Sequence, residues 1–387
     1  MDLKQKKIVV NLGIFGTHGI DRAAIELMRE LTQLGHEVYL HLIYERIEKS
    51  FLYSKIPDSV KVVTAMPLDS FWGSIHMTRY KNLWNKLLDS VGIFKMQTII
   101  ADSINRLQPD IIFDFDISLQ KTINALQAPV IGSIHFNPKL VRGGNHKRLK
   151  RMGHRLKKYK LVVMLCDEML DQAKEIWPMA ENKFVVIPNP VNQDLLLKQA
   201  SDPLNLSEKI KKHEYFINVA RLTGQKDIST LLYAYSLAKK SGVHWPLVLI
   251  GDGDESDFLK NLSKELKINE DVFFLGHINN PRPHVKHAGC FVLSSDNEGL
   301  PTILIEAQML GCPIISTACS TGPKDILDNG ELGVLVPVKD SFSLSEAMIK
   351  MYGHSEIRSK FVTKGLKHST QYLPKKITED YLNLAFS

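Results

Sequence analysis

The chain has 387 residues, 44% of them hydrophobic and 24% charged, which is the composition of a soluble globular protein large enough for two domains. It has no run of about 18 apolar residues, which excludes a transmembrane helix, and its four cysteines lack the spacing of a zinc site, so we expect reduced, buried thiols. The net charge of +7 favours an anionic partner: a nucleotide, a phosphate, a nucleic acid or a membrane surface.

The first elements predict a doubly wound α/β domain. An apolar run at 8–10 predicts a strand, a glycine-rich loop that includes Gly16 and Gly19 follows, and Asp21 is placed to cap a helix. A second strand is expected at 38–43. We expect a first strand at the N-terminus and not a cleaved signal peptide. Because the loop does not match GxGxxG, NAD binding is not favoured.

Residues 66–107 form the least regular part of the sequence. Apolar and aromatic side chains between Tyr80 and Leu88 recur with helical spacing. This pattern fits a core helix that packs on the sheet, and it also fits a helix that meets an acceptor or a membrane surface. The sequence leaves both interpretations open.

His135 directly follows the strand expected at 130–134. In open α/β sheets, ligands bind beyond the carboxyl ends of the strands, so this position favours a functional role. A single histidine is nevertheless more often structural, and both interpretations stay open on position alone.

No acidic residue occurs from Ile117 to Cys166, although this stretch is rich in lysine and arginine. Leu149, Met152 and Leu156 recur near helical spacing, which predicts an amphipathic helix with a basic outer face. Such a face could meet anionic lipid, a phosphorylated acceptor or RNA, or it could simply be solvated.

A second α/β unit begins after the stiff segment 188–190, which contains two prolines. A strand expected at 215–219 leads to Arg221 and Lys226, which are five residues apart across a flexible turn. Arginine offers a planar fork of donors and lysine a mobile point charge, so together they can bind one diphosphate.

The stretch 294–311 carries the most specific pattern in the chain. After the strand expected at 290–293, a turn with Glu298 leads into a helix that begins at Pro301 and places Glu306 on an otherwise apolar stripe. A carboxylate there is costly unless a neighbour hydrogen-bonds it. The free N–H groups at the helix start make a natural phosphate site.

The two glutamates, with seven residues between them and Gly299 and Pro301 after the first, resemble the motif of the retaining glycosyltransferases of family 4. The segment 187–191 resembles the IPN-x-V segment of that family, and Arg221 to Lys226 resembles its R-L-x-x-x-K segment. This resemblance implies an α/β fold of the GT-B type, in which two Rossmann-like doubly wound domains face each other across a cleft.

The domains are expected at 1–189 for the acceptor and 190–370 for the nucleotide-sugar, with a C-terminal helix in 371–387 that packs back on the first domain. By resemblance, Arg221 and Lys226 hold the diphosphate, Glu298 holds donor-sugar hydroxyls and Glu306 accepts hydrogen bonds from the ribose. His135 would lie near the sugar and the attacked carbon, and it joins Glu298, Arg221 and Lys226 as the expected catalytic residues. The other expected donor-site residues are Gly16, Gly19, Gly253, His277, Ile278, Gly299, Leu300, Pro301 and Thr302.

The implied activity is that of a retaining hexosyltransferase of bacterial surface-polysaccharide synthesis. It would move a hexose or N-acetylhexosamine from a UDP-sugar to a lipid-linked glycan or lipopolysaccharide-type acceptor, in the cytoplasm at the inner face of the plasma membrane. No cofactor, metal or nucleic acid is expected. Asp114-Phe115-Asp116 matches a bare Asp-x-Asp motif, but its place in the first half speaks against a metal–diphosphate site.

Two other functions remain open from the sequence. A UDP-N-acetylglucosamine 2-epimerase has two similar domains and would isomerise a UDP-sugar without an acceptor. A non-catalytic adaptor would use its basic surface to bind a membrane or a nucleic acid.

Overall fold

The computed structural model describes residues 4–16, 19–45, 51–67, 95–140 and 146–387. The helix expected around Tyr80 to Leu88 lies outside these residues. The chain divides into two compact units, the first made of Met1–Pro190 and Pro374–Ser387 and the second of Val191–Leu373.

The first unit is built on a sheet of seven parallel strands. Their spatial order is β3-β2-β1-β4-β5-β6-β7, so the order reverses between β1 and β4, where an open α/β sheet offers a ligand crevice. The strands are β1 (Lys7–Ile14), β2 (Glu37–Glu45), β3 (Lys61–Pro67), β4 (Ile111–Asp114), β5 (Val130–Ile134), β6 (Leu161–Met164) and β7 (Phe184–Val186).

The helices of the first unit cover this sheet. They are α1 (Gly19–Gln33), α2 (residues 95–105), α3 (His146–Leu156), α4 (Asp167–Ile176) and the C-terminal helix α13 (Pro374–Phe386). The expected cap of α1 was wrong: the helix begins at Gly19, so Asp21 is a buried residue of its first turn. An acidic side chain there still meets the positive end of the helix dipole.

The second unit repeats the plan with six parallel strands in the order β10-β9-β8-β11-β12-β13. They are β8 (Phe216–Val219), β9 (Leu247–Ile250), β10 (Val272–Phe274), β11 (Cys290–Leu293), β12 (Ile314–Thr317) and β13 (Val334–Val336). The helices are α5 (Gln193–Gln199), α6 (Ile228–Lys240), α7 (Ser256–Glu265), α8 (Arg282–Lys286), α9 (Thr302–Met309), α10 (Pro323–Ile326), α11 (Ser341–Gly353) and α12 (Ser355–His368).

The predicted α/β class with two Rossmann-like doubly wound domains is therefore confirmed. Several central strands, including β4, β5, β9 and β11, are buried at every residue. A parallel sheet covered by helices on both faces requires such continuous apolar strands. All four cysteines are buried, and none of them forms a disulfide. None of the helices in the described ranges is long and apolar enough to span a membrane.

Gly251, at the end of β9, sits where no other residue fits. Its φ is 135°, and an added Cβ would lie 1.8 Å from the carbonyl oxygen of Ala220. We therefore expect Gly251→Ala to lower the free energy of unfolding by about 3 kcal/mol or more, measured by urea denaturation. Gly353→Ala is the matched control, since an added Cβ there meets nothing within 4 Å. Equal stability of the two variants would contradict the expectation.

Candidate functional site

The site of the second unit lies at the carboxyl ends of β8 and β11. Arg221 and Lys226 lie on the loop between β8 and α6, and Glu298 lies on the loop between β11 and α9. Strands β8 and β11 are neighbours in the sheet, at the point where the strand order reverses. The two loops therefore meet at the crevice where α/β sheets bind ligands.

Lys226 and Glu298 form an ion pair at this crevice. Lys226 Nζ lies 2.6 Å from Glu298 Oε1, and the two side chains are 19% and 9% exposed. Ser295 Oγ donates a hydrogen bond of 2.7 Å to the same oxygen. Two donors thus converge on one oxygen of a largely buried carboxylate, which holds Glu298 in a defined orientation.

Further hydrogen bonds fix the two loops to each other. Ser294 Oγ donates to the carbonyl of Lys226 at 2.9 Å, and Gln225 Nε2 donates to the carbonyl of Asn297 at 2.9 Å. On the opposite side, Thr321 Oγ1 donates to the carbonyl of Glu298. Hydrogen bonds among three loops therefore hold the backbone that carries the ion pair.

The turn before α9 is closely packed against the loop after β12. An added Cβ at Gly322, whose φ is 100°, would lie 2.5 Å from Pro301 Cδ and 3.1 Å from the carbonyl oxygen of Gly299. Helix α9 begins at Thr302, one residue later than expected, and its N-cap residue, Pro301, makes no capping hydrogen bond through its side chain. Since the N–H groups of a helix start can bind an anion, the anion site expected at Gly299–Thr302 stays a prediction.

Glu306 belongs to a second ion pair that the sequence analysis missed. Arg282 Nη2 lies 3.1 Å from both Glu306 Oε1 and Oε2, and the side chains are 11% and 12% exposed. A partner for Glu306 was expected, but Arg282 is 24 residues away. The sequence feature that could have pointed to Arg282 is a cation flanked by two prolines at a helix start, Asn280-Pro281-Arg282-Pro283. This segment directly follows a strand and its loop.

The remaining predicted residues of this unit lie around the two ion pairs. Arg221 is exposed, and Gly253 packs on the same loop, since an added Cβ would lie 2.3 Å from the Leu222 carbonyl oxygen. His277 is exposed, with Nε2 3.2 Å from Asn279 Oδ1, and Ile278 packs partly buried on the core. Lys226 thus forms its ion pair with Glu298, and Glu306 forms a separate ion pair with Arg282.

In the first unit, His135 packs against an aromatic pair. Its ring centroid lies 5.5 Å from that of Phe115, which in turn stacks on Tyr381 of α13 at 6.0 Å. The residue as a whole is half-buried, and both ring nitrogens are buried and have no hydrogen-bond partner among the described residues. Burial lowers the pKa of His135 to about 3, which keeps the ring neutral at ordinary pH.

The Asp-x-Asp motif of the first unit is engaged in internal hydrogen bonds. Asp114 accepts from Asn11 Nδ2 at 2.8 Å and from Tyr159 Oη at 2.7 Å, while Asp116 accepts from the N–H of Gly13 at 2.7 Å. Burial, and then the charge of Asp116, raises the pKa of Asp114. Within the described ranges, no three His, Cys, Asp or Glu side chains cluster as metal ligands would.

The two loop glycines are placed differently from each other. Gly16 is buried in the loop after β1, whereas Gly19 is the exposed first residue of α1. An added Cβ at Gly19 would meet nothing within 4 Å, so packing does not require glycine there.

The basic helix is confirmed as α3. Its Met152 and Leu156 are buried, whereas Lys147, Lys150 and Arg151 are exposed.

The burial of His135 predicts a pH effect on stability. An unfolded chain gives histidine a pKa near 6.5, so below this pH the unfolded state binds a proton that the folded state does not. The contribution of His135 to stability is therefore present above about pH 6.5 and is lost as pH falls toward 3. His135→Phe should reduce this loss by up to about 1.4 kcal/mol per pH unit.

Urea denaturation at pH 7 and pH 5 measures this effect. His154→Gln, a change at an exposed residue of α3, is the control and should keep the wild-type difference between the two pH values. If His135→Phe also keeps that difference, the ring is not buried neutral in the folded protein.

Comparison with known proteins identifies the chain. A family model described as Glycosyltransferase Family 4 matches residues 17–195, and one described as Glycosyl transferases group 1 matches residues 205–368. The chain carries both of these glycosyltransferase domains. The first model ends and the second begins within about 15 residues of the boundary of the two units, so each half of this glycosyltransferase matches its own model.

Curated relatives of the glycosyltransferase are distant. An uncharacterized glycosyltransferase of Methanocaldococcus jannaschii is 30% identical over 232 residues, which are 52% of this chain and 57% of that protein. An α-1,4-N-acetyl-D-galactosaminyltransferase of Campylobacter jejuni, whose name specifies a glycan on PP-undecaprenol, is 23% identical over 98% of each chain. The matches to the first curated relatives span 57%, 64%, 49% and 56% of their lengths.

Solved structures confirm the predicted GT-B fold of the glycosyltransferase. The crystal structure of HepE from Anabaena in complex with UDP aligns with a TM-score of 0.74 over 97% of this chain and 98% of that chain. The sequence identity is 15%, so this likeness concerns the fold alone.

Proposed function

We propose that this glycosyltransferase moves a hexose or N-acetylhexosamine from a UDP-sugar to a lipid-linked glycan or a lipopolysaccharide-type acceptor, with retention of the anomeric configuration. The observation that carries the proposal is the Lys226–Glu298 pair at the crevice of the second unit. It places a cation suited to a diphosphate beside a carboxylate suited to sugar hydroxyls.

The chemistry follows from the charge of the leaving group. A departing nucleoside diphosphate develops negative charge, and fixed cations and N–H groups stabilise it without reorganisation. Lys226, the exposed Arg221 and the uncapped N–H groups of α9 would supply this stabilisation. The reaction then needs no metal, and we expect transfer to continue unchanged in excess EDTA.

The donor and acceptor classes rest on the relatives. The similar HepE structure is a complex with UDP, and the Campylobacter relative is named for a glycan on PP-undecaprenol. A Rhizobium meliloti relative, 31% identical over 174 residues, is named for lipopolysaccharide core biosynthesis. These names support a role in surface-polysaccharide synthesis.

We further propose peripheral contact with the inner face of the plasma membrane. The exposed cations of α3 follow a loop on which Phe136 and Leu140 are exposed. Cations attracted to anionic lipid, at about 1 kcal/mol each, together with exposed apolar side chains, suit such a surface. Binding to phosphatidylglycerol vesicles, but not to phosphatidylcholine vesicles, is the expected result.

A nucleotide-sugar screen tests the main proposal. A ligand bound only by the folded state raises the melting temperature, so UDP and one or more UDP-sugars should do so, and the UDP-sugars should be slowly hydrolysed. Conversion of a UDP-sugar to its epimer would favour the epimerase alternative. Salt-sensitive RNA binding without any response to UDP would favour the adaptor.

A further inference from the structure

We infer that Arg282 is a positioning residue for nucleoside recognition, which fixes the Glu306 carboxylate so that it accepts hydrogen bonds from the ribose hydroxyls of the bound nucleotide. This inference rests on the proposed function, because it takes Glu306 as the ribose-binding carboxylate. The inference adds Arg282 as the cation that orients this carboxylate and so makes the binding specific for ribose.

The first support is the geometry of the ion pair. A single nitrogen, Arg282 Nη2, lies 3.1 Å from both carboxylate oxygens of Glu306. A carboxylate has about four lone-pair sites, and one shared nitrogen occupies at most two of them. The carboxylate is thus held by one donor and still has acceptor sites for hydroxyl groups.

The second support is that Arg282 is itself anchored. Its backbone N–H donates to Asn280 Oδ1 at 3.2 Å, and Asn280 Nδ2 donates to the carbonyl of Gln199 at 2.7 Å and to Asp202 Oδ2 at 2.8 Å. The guanidinium therefore starts from a fixed turn. Only about a tenth of its side chain is exposed, which further restricts its orientation.

The third support is an unused donor. Arg282 Nε is buried and has no hydrogen-bond partner among the described residues. A buried donor without an acceptor costs free energy, which a ligand oxygen would recover. The guanidinium that holds Glu306 thus also has a donor available for the oxygen of the ribose 2′-hydroxyl that Glu306 binds.

The Arg282–Glu306 pair is better explained by the orientation that it gives the carboxylate than by a contribution to folding stability. Replacing a buried ion pair with apolar residues is often neutral or stabilising, since desolvation of both charges offsets their attraction. Arginine's planar fork sets the direction of the carboxylate, which the point charge of a lysine does not. We therefore expect a change in ligand discrimination when Arg282 is replaced.

The experiment measures the dissociation constants of UDP and 2′-deoxy-UDP for the full chain by calorimetry. Wild type should bind UDP at least about tenfold more tightly than the deoxy analogue, and Glu306→Gln should bring that ratio close to one. Arg282→Met should also bring the ratio close to one while changing the affinity for 2′-deoxy-UDP by less than about threefold. Arg282→Lys should give an intermediate ratio.

Lys239→Met is the matched control. It removes another ion pair of the second unit, that of Lys239 with Asp271 at 3.0 Å, at the far end of α6. It should keep the wild-type ratio of affinities.

The outcomes separate the inference from the proposed function. If wild type does not bind UDP, or if Glu306→Gln leaves the ratio unchanged, the proposed role of the site is wrong. If Glu306→Gln lowers the ratio but Arg282→Met keeps it, or weakens both ligands equally, the inference about Arg282 is wrong. Should Arg282→Met fail to fold, the Arg282→Lys ratio decides: a wild-type value overturns the inference.

Discussion

Replacing Lys226 with methionine should slow sugar transfer at least about 100-fold while leaving the second unit folded. The methionine keeps an unbranched apolar stem of similar length, so packing is retained and only the ammonium group is lost. Without it, the leaving diphosphate meets one fixed charge less, which removes stabilisation made mainly in the transition state. Initial rates of UDP release with a saturating donor measure the effect.

The same control variant, Lys239→Met, distinguishes this role from a general loss of positive charge. Lys239 is also a partly buried lysine in an ion pair of the second unit, but it lies in the last turn of α6. It should keep near-wild-type turnover. A Lys226→Met enzyme with near-wild-type turnover and an unchanged melting temperature would remove Lys226 from the mechanism.

The sequence was sufficient for the elements that depend on local patterns. Strands β5 and β11 have the predicted bounds, Val130–Ile134 and Cys290–Leu293. Each apolar strand is bounded by polar, glycine or proline residues, and a fully buried parallel strand needs only such a run. The start of α1 was predicted wrongly because Gly19, a poor helix former, begins that helix.

The sequence was insufficient for contacts between distant loops. Lys226 and Glu298 were each placed at the donor site, but with separate partners, a phosphate and a sugar. The structure pairs them across 72 residues of sequence, because β8 and β11 are adjacent only in the sheet. Arg282 was missed as the partner of Glu306 because only tertiary packing brings α8 and α9, which precede and follow β11, within contact distance.

The environment of His135 was equally beyond sequence reasoning. Its position after β5 followed from the strand pattern alone. The burial of both ring nitrogens depends on the surrounding structure, in which Phe115 packs against the ring at a tilt and Tyr381 of the C-terminal helix stacks on Phe115. Only tertiary packing brings those rings together, so the low pKa could not be foreseen.

Because Glu298 pairs with Lys226, we expect Glu298→Gln to raise the affinity for UDP and to lower the rate of sugar transfer. We expect this variant to bind UDP about five to ten times more tightly than wild type and to transfer sugar at least about 100-fold more slowly. In the wild-type structure, Glu298 neutralises the lysine that the diphosphate requires. Glutamine keeps an oxygen that can accept from Ser295 Oγ, but it carries no charge, so a diphosphate no longer competes with a carboxylate for Lys226.

Asp296→Asn is the matched control, because it removes a carboxylate from the same loop. Asp296 pairs with Lys339 at 3.2 Å and not with Lys226, so its loss should change both UDP affinity and transfer by less than about threefold. Calorimetry with UDP and initial-rate assays give the two quantities. Weaker or unchanged UDP binding by Glu298→Gln would mean that the ion pair does not restrain Lys226. A gain in UDP affinity together with a loss of transfer would mean that Glu298 weakens the binding of the product UDP. It would also mean that the carboxylate becomes available to the sugar hydroxyls only when the diphosphate binds Lys226.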